Sequence, residues 1–440
     1  MATQGSSEHG AGSARYTYRL RVSTMAERAL LAEWGRCRWV WNECVAQSKA
    51  VYATGDTCGP AKLDKMLTGW RAEQRWLRKG ASVPQQQTIR DFARSRARAI
   101  KDIANRVPLH RRSGMPHFKK KNEAEPTLNY TRRGFRLTGG RLLVAGGISL
   151  TVVWSRALPA APTSVRVHRD SLGHWYCSFV VPAQVEPLPA TGQVIGIDWG
   201  VSMIATTTSD EYDLPHPQYG KKAQAELSRY QRMMARRKPS RGQRASRGYL
   251  RAKKQAAKMH KRVAAQRRDT ARKWAKKIVR DHDAVAVEDF RPKFLAKSTM
   301  ARKATDAAIG ATKTALIEMG CKHSRAVRLV DPAYTTMDCG DCGTRAKHRL
   351  PLSERTYTCT ACGVSRPRDK NSAHVMLVRA GLNPAGDDGV SPPAPVGQEA
   401  ARARNPRGSH GGRGLIREPS PAREGSDQLT LSAASARALT

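Results

Sequence analysis

Acidic residues are scarce in this 440-residue sequence, which carries 36 Asp and Glu against 78 Lys and Arg. The formal net charge of +42 implies strong self-repulsion, and such a chain is usually stabilised by a polyanion, most commonly nucleic acid. An anionic membrane surface fits less well, because the basic segments lack the regular apolar face of a membrane-surface helix. The composition therefore favours a nucleic-acid-binding protein.

Long apolar runs are missing as well. The sequence has no stretch of about 18 apolar residues, so we expect no transmembrane helix. Residues 1–13 are small and polar and contain no apolar segment typical of a signal peptide. We expect a cytoplasmic protein of bacterial type that associates with the nucleoid when bound to DNA.

The nine cysteines do not form a disulfide framework. Five are scattered, whereas four form two C-x-x-C pairs separated by 16 residues: Cys339, Cys342, Cys359 and Cys362. This spacing is typical of a zinc ribbon, in which four thiolates occupy every position around a tetrahedral Zn²⁺. A redox role is the alternative for a single pair, but two matched pairs favour zinc. We predict one structural zinc ion and a reduced compartment.

Hydrophobic periodicity predicts a chain that mixes strands and helices. Strict alternation over residues 15–22 predicts a half-buried strand, and period-two segments return between residues 127 and 182. Basic helical sequence lies between them, which we interpret as a small β-barrel interrupted by a helical domain. A second set of strands and helices follows over residues 194–380, so the predicted fold class is α/β with several domains.

Two apolar segments each end in an acid that shares a strand face with a small residue. Gly196 and Asp198 share one face of the first segment, and Ala286 and Glu288 share one face of the second. If the two strands are parallel neighbours, both carboxylates project together and repel unless a divalent cation lies between them. A third acid, Asp369, opens the last predicted helix. Three such acids can hold two Mg²⁺ ions about 4 Å apart and support phosphodiester hydrolysis.

Each acid also has a simpler interpretation. An acid that ends a strand is often the first residue of a turn, and Asp369 could be a helix N-cap. The combination of all three acids with this charge favours a metal site.

The acids, the cysteine pairs and their order along the chain resemble the TnpB family. These are insertion-sequence-associated RNA-guided nucleases, and compact type V CRISPR effectors derive from them. The resemblance spans most of residues 15–381 and includes segments 35–42, 116–121 and 330–336. The sequence departs from the family's acid-Arg-acid motif, because Pro367 stands where the first acid is usual.

The resemblance implies an RNA-guided DNA endonuclease. Such a protein binds a structured guide RNA, recognises a short target-adjacent motif and hydrolyses DNA by two-metal RuvC (RNase H-like) chemistry. The catalytic and Mg²⁺-binding acids would be Asp198, Glu288 and Asp369. The implied partners are guide RNA, double-stranded target DNA and the displaced single strand, with no membrane, for a monomer or a homodimer on the RNA.

The resemblance also implies a domain organisation. An N-terminal wedge β-barrel would carry a helical recognition insert, and a RuvC nuclease domain would carry the inserted Cys₄ zinc ribbon, which binds the target nucleic acid. The expected boundaries are a disordered 1–13, wedge 14–24 and 127–186, recognition domain 25–126, RuvC 192–335 and 364–382, ribbon 336–363, and a disordered tail 383–440.

Basic side chains are concentrated in residues 221–280, where 23 Lys and Arg face only two acids. A solvated charged helix usually mixes both signs, so we expect this segment to neutralise backbone phosphates without reading sequence. A second candidate is a lysine run beside Phe118, which combines charge with an aromatic ring. The candidate phosphate contacts are Arg236, Arg237, Lys253, Lys254, Arg267, Arg268, Lys119, Lys120 and Lys121.

Two other functions stay open. A transposase could join DNA ends with the same acids and would need no guide. A guided DNA-binding repressor would bind without cutting, although such proteins are expected to lose catalytic acids, and here all three are present.

Overall fold

The computed structural model describes residues 12–53, 58–121, 124–240, 242–290, 298–348, 350–351 and 353–382. The predicted disorder of the tail 383–440 lies outside the described residues, as does nearly all of that predicted for 1–13. Among the described helices, none combines the length and apolarity needed to cross a bilayer.

Seven of the described strands form one antiparallel sheet. They are β1 (Ser13–Arg21), β2 (Thr127–Thr131), β3 (Phe135–Thr138), β4 (Arg141–Val144), β5 (Ile148–Val153), β6 (Ser164–Arg169) and β7 (Trp175–Pro182), in the order β2-β6-β7-β1-β5-β4-β3. The alternation predicted for β1 is observed, because Tyr18 and Leu20 are buried while Arg19 and Arg21 are exposed. The early strand therefore pairs with strands more than a hundred residues later.

Helices occupy the chain between β1 and β2. They are α1 (Thr24–Ala53), α2 (Pro60–Glu73), α3 (Arg75–Arg78) and α4 (Ser82–Ala104). Their own core includes Val40, Leu63 and Phe92. Trp39 and Trp41 pack against this core, so both rings stabilise the helical layer.

Five further described strands form a mixed sheet in the order β10-β9-β8-β11-β12. They are β8 (Val194–Trp199), β9 (Met203–Thr207), β10 (Leu214–Pro215), β11 (Ala284–Glu288) and β12 (Ala326–Val330). β8, β11 and β12 run parallel, whereas β9 and β10 are antiparallel to their neighbours. Because both faces of β11 are covered, its residues are all buried, as is usual for a strand in a parallel arrangement.

Helices cover both faces of this sheet. They are α5 (Tyr219–Arg236), α6 (Arg247–Asp281), α7 (Ala301–Ala307), α8 (Ile309–Lys322) and α9 (Arg368–Arg379). On one face Ile278 of α6 and Leu316 of α8 join the core of Ile195, Ile197 and Val285. On the other face, α9 packs Met376 and Leu377 against Ala286. A small hairpin of β13 (Thr356–Thr358) and β14 (Ser365–Pro367) precedes α9.

Candidate active site

The parallel pairing of β8 and β11 brings two of the predicted acids together. Ala284 pairs with Val194 and Val287 with Ile197, so the next residue of each strand, Glu288 and Asp198, lies at the same level. The backbone N–H of Trp199 donates to Oε2 of Glu288 at 3.4 Å, and its indole Nε1–H donates to the Glu288 carbonyl at 3.0 Å. The Glu288 side chain is thereby held at the carboxyl end of β8.

The two carboxyl groups perturb each other. Asp198 is half-buried and Glu288 is buried. Burial, the nearby Glu288 and the charge of Asp369 raise the pKa of Asp198 well above its usual range. Burial also raises the pKa of Glu288 to about 7. Because the ionised form of each carboxyl group is destabilised, the pair is suited to share a proton or to bind a divalent cation.

Gly196 determines how closely the third acid approaches. A Cβ built at this position would lie 3.0 Å from Cγ of Leu377 and closer still to the carbonyl oxygen of Ala373 in α9. The helix therefore rests on the bare backbone of β8. Ala373 follows Asp369 by four residues, about 6 Å along the helix, and Asp198 follows Gly196 by two, about 7 Å along the strand. The later residues of α9 pack near Val194 at the start of β8, so the first turn of α9 lies toward the carboxyl end of β8, where the charge of Asp369 acts on Asp198.

Lys370 attaches the first turn of α9 to the end of β9 and to the loop that precedes β10. Its Nζ donates to both carboxylate oxygens of Asp213, at 3.0 and 2.9 Å, and to the Thr207 carbonyl at 2.9 Å. Asp213 in turn accepts from the Thr207 backbone N–H at 2.7 Å. Sequence reasoning missed this pair, because nothing in the spacing of Lys370 and Asp213 indicates that they meet.

The four predicted cysteine ligands converge. Their Sγ atoms all lie within 4.8 Å of one another, with Cys339 and Cys362 3.7 Å apart and Cys342 and Cys359 3.6 Å apart. Four sulfurs around one Zn²⁺ at about 2.3 Å require sulfur–sulfur distances of roughly 3.8 Å. The donor set therefore fits a zinc ion.

The three acids form a wider group than the cysteines. Within the part of the chain that the structure describes, the cysteine cluster is the one set of three or more potential ligands gathered within 4.8 Å. A two-metal site has ions about 4 Å apart, so its outer ligands are farther from one another than those of a single ion.

The cysteine cluster is anchored to α9 by Asn371, which is fully buried. Its Nδ2 donates to the Asp338 carbonyl at 2.7 Å, and its Oδ1 accepts from the Gly340 N–H at 3.0 Å. Gly340 lies between the first two cysteines. Helix α9 therefore carries both Asp369 and the side chain that holds the backbone beside the first cysteine pair.

Most of the predicted phosphate contacts lie on exposed surface. Arg236, Arg237, Lys253, Lys254 and Arg268 are exposed on or beside α5 and α6.

Two predicted contacts are engaged elsewhere. Arg267 is half-buried, and its Nη2 pairs with Asp306 at 2.7 Å. Asp306 also accepts from the N–H groups of Gly220 and Lys221 at the start of α5. Lys119 is half-buried with its Nζ 3.5 Å from the Trp41 ring centroid, whereas Lys120 and Lys121 are exposed. These contacts indicate that Arg267 and Lys119 stabilise the fold.

Two family profiles match the chain. The family described as "Probable transposase" (OrfB_IS605) matches residues 165–299, and "Cas12f1-like, TNB domain" matches residues 310–376. The first covers β8 and β11, and the second covers β12, the cysteine pairs and most of α9.

Full-length relatives match as well. A "Putative RNA-guided DNA endonuclease" of Streptomyces pristinaespiralis is 29% identical over 86% of this chain and 92% of its own. The "Putative RNA-guided DNA endonuclease InsQ" of Escherichia coli (strain K12) is 25% identical over 82% of this chain and 91% of its own. A solved "Cas12f1-sgRNA-target DNA complex" aligns over 83% of this chain and 98% of that chain, with 12% identity and a TM-score of 0.49. The two relatives and the two profiles confirm the resemblance to the TnpB family.

Proposed function

We propose that this TnpB-like chain is an RNA-guided DNA endonuclease that hydrolyses phosphodiesters at Asp198, Glu288 and Asp369. The observation that supports the proposal is the parallel register of β8 with β11, which puts Asp198 and Glu288 at one sheet edge, together with the contact of α9 with Gly196. The relatives named as RNA-guided DNA endonucleases, which match over most of their length, support the guided activity.

The chemistry assigned to the acids follows from their positions. Two Mg²⁺ ions bound there would activate a water and stabilise the leaving oxygen. Asp198 and Glu288 offer carboxylate oxygens from the sheet edge, and Asp369 offers one from the first turn of α9, whose backbone N–H groups also favour negative charge. Lys370 fixes that turn against Asp213. The three acids would thus hold the metal ions from the sheet edge and from α9.

The remaining regions take the roles that the family resemblance implies. The sheet β1–β7 would be the wedge domain (14–24 and 127–186), and α1–α4 the recognition domain (25–126). The sheet β8–β12 with its helices would be the RuvC domain (192–335 and 364–382), and the cysteine hairpin the zinc ribbon (336–363). The exposed basic side chains of α5 and α6 would neutralise nucleic-acid phosphates, while base pairing with the guide would supply sequence specificity.

The test is guided cleavage by the protein purified with its co-expressed RNA. Asp198→Asn is expected to lower cleavage by about 10²- to 10³-fold, the loss that follows removal of a catalytic electrostatic contact, while guided DNA binding persists. The matched control is Asp269→Asn, which neutralises an exposed acid of α6. Cleavage by Asp198→Asn at the wild-type rate in Mg²⁺ would refute the site.

The two other functions predict different outcomes. A transposase would act on transposon ends with no specific RNA bound. A repressor would bind its target DNA, and even the wild-type protein would leave that DNA uncut. Sequencing the RNA that co-purifies with the protein separates the guided functions from the transposase.

A further inference from the structure

The loop of residues 331–338, between β12 and the first cysteine, runs along α9 beside the third acid. The Arg379 guanidinium donates to the carbonyls of Asp331 and Ala333 at 3.0 and 2.6 Å. The Ser372 hydroxyl reaches the Thr335 carbonyl at 3.4 Å. Ser372 follows Asp369 by three residues, about 4.5 Å along the helix axis. The loop is therefore held along α9, and its nearest attachment lies about one helical turn from Asp369.

Tyr334 occupies an unusual backbone conformation in this loop. Its φ of 62° lies in the left-handed region, which residues other than Gly and Asn rarely adopt. Its carbonyl accepts from the N–H groups of Met337 and Asp338 at 2.9 and 3.1 Å, which closes a turn. Asn or Gly would serve this turn at a lower cost, so the turn alone does not explain a tyrosine. Strain of this kind often marks functional positions.

The tyrosine ring is supported on one side and open to solvent on the other. The Arg345 guanidinium lies 4.2 Å from the ring centroid. Arg345 itself donates to both carboxylate oxygens of Asp338, at 2.6 and 3.2 Å, and Asp338 also pairs with Arg379 of α9. The Tyr334 side chain is nevertheless 55% exposed. A ring that is held on one face by a guanidinium and exposed to solvent on the other is a preformed surface for stacking.

We propose that Tyr334 is a stacking platform for an unpaired nucleobase of the DNA strand being cut. This proposal rests on the proposed function. Stacking on an aromatic ring holds a single strand without reading its sequence, because every base has a π-face. Because its neighbours Ala333 and Thr335 contact Arg379 and Ser372 of the helix that carries Asp369, the ring would hold a nucleotide of the strand on the approach to the scissile phosphate.

The left-handed backbone of Tyr334 allows a test that separates stacking from folding. Tyr334→Asn removes the ring but suits the backbone, so its thermal stability is expected to equal or exceed that of the wild type. Tyr334→Phe keeps the ring. The matched control is Ser324→Asn, which makes the same backbone change at an exposed residue with φ 54° and no ring.

The probe is a short single-stranded DNA that carries 2-aminopurine, whose fluorescence is quenched by stacking, added to the RNA-loaded full-length protein. Tyr334→Asn is expected to bind about five- to 100-fold more weakly, to lose the quenching and to cut more slowly. Tyr334→Phe is expected to recover most of the affinity and quenching. Wild-type affinity and quenching in Tyr334→Asn would overturn the platform, as would an equal loss in Tyr334→Phe. A wild-type protein that binds no RNA and cuts no DNA would instead overturn the proposed function, and the same quenching measurement on the RNA-free protein would still report whether Tyr334 stacks on a base.

Discussion

Gly196→Ala is the most direct perturbation of the active-site geometry, because a single methyl group would separate α9 from β8. The added Cβ would lie 3.0 Å from both the carbonyl carbon of Ala373 and Cγ of Leu377, and nearer to the carbonyl oxygen. The obstacle is mainly backbone, which cannot rotate away as a side chain can. Helix α9 therefore has to retreat by about 1 to 1.5 Å to restore ordinary contact.

The size of the effect follows from that displacement. Overpacking of this kind typically costs about 1–3 kcal/mol of folding free energy, which a chain of this size can tolerate. A shift of about 1 Å in a catalytic group can reduce the rate roughly 10²-fold. We therefore expect a folded protein that retains its guide RNA and zinc, binds target DNA, and cuts it about two orders of magnitude more slowly.

The assay is single-turnover cleavage by the RNA-loaded protein at saturating Mg²⁺, with target binding measured separately by gel shift. The control is Gly69→Ala in α2, where a Cβ would meet nothing within 4 Å. That substitution in a helix interior is expected to stabilise the protein by up to about 1 kcal/mol and to leave the cleavage rate unchanged. If Gly196→Ala cuts at the wild-type rate, the contact between α9 and β8 does not position Asp369 and our account of the site fails.

Three further changes test the elements that surround the acids. Lys370→Met leaves the Asp213 carboxylate without its charged partner. We therefore expect cleavage at least about tenfold slower, with normal zinc content, and partial recovery of the rate in Lys370→Arg. An unaffected cleavage rate in Lys370→Met would show that the pair is not needed. Cys359→Ser removes one of four thiolates, and mass spectrometry should find that zinc is lost; full zinc content would contradict the ligand assignment. Asn371→Leu removes the buried hydrogen bonds to the Asp338 carbonyl and the Gly340 N–H. Each backbone group left without a partner lowers the folding stability by about 1–3 kcal/mol. Hydrogen exchange should then quicken in residues 336–363 while zinc remains bound, and unchanged protection would argue against the anchor.

Local patterns were sufficient to predict the two acids at the sheet edge. Each lies at the end of an apolar alternating segment, and a strand places every second residue on one face. The prediction still depended on parallel pairing of β8 and β11, which the structure supplies. The cysteine spacing was equally informative, because ligand geometry restricts how far apart in sequence such pairs can be.

Contacts between distant segments could not be predicted in this way. Lys370 and Asp213 are separated by 157 positions, and neither belongs to a periodic pattern. The phosphate contact of Lys119 stays a prediction, and the lysine run gave no sign that its ammonium group lies over the Trp41 ring. The left-handed conformation of Tyr334 could not be predicted either, because a tyrosine is not a residue type that indicates this conformation. Tertiary packing determines the contacts of these residues, and such contacts leave no periodic pattern in a single sequence.

The departure of Pro367 from the family's acid-Arg-acid motif is compatible with an active site. Pro367 ends β14, where it pairs with Thr356, and it is also the N-cap of α9 with φ −52°. A proline fits at a helix start because the N–H it lacks would have no partner within the helix. The substitution therefore removes an acid without disturbing the element that carries Asp369. Since Asp369 remains in the first turn and Gly196 still determines its distance from Asp198, we expect Pro367→Asp to change the cleavage rate less than Gly196→Ala does.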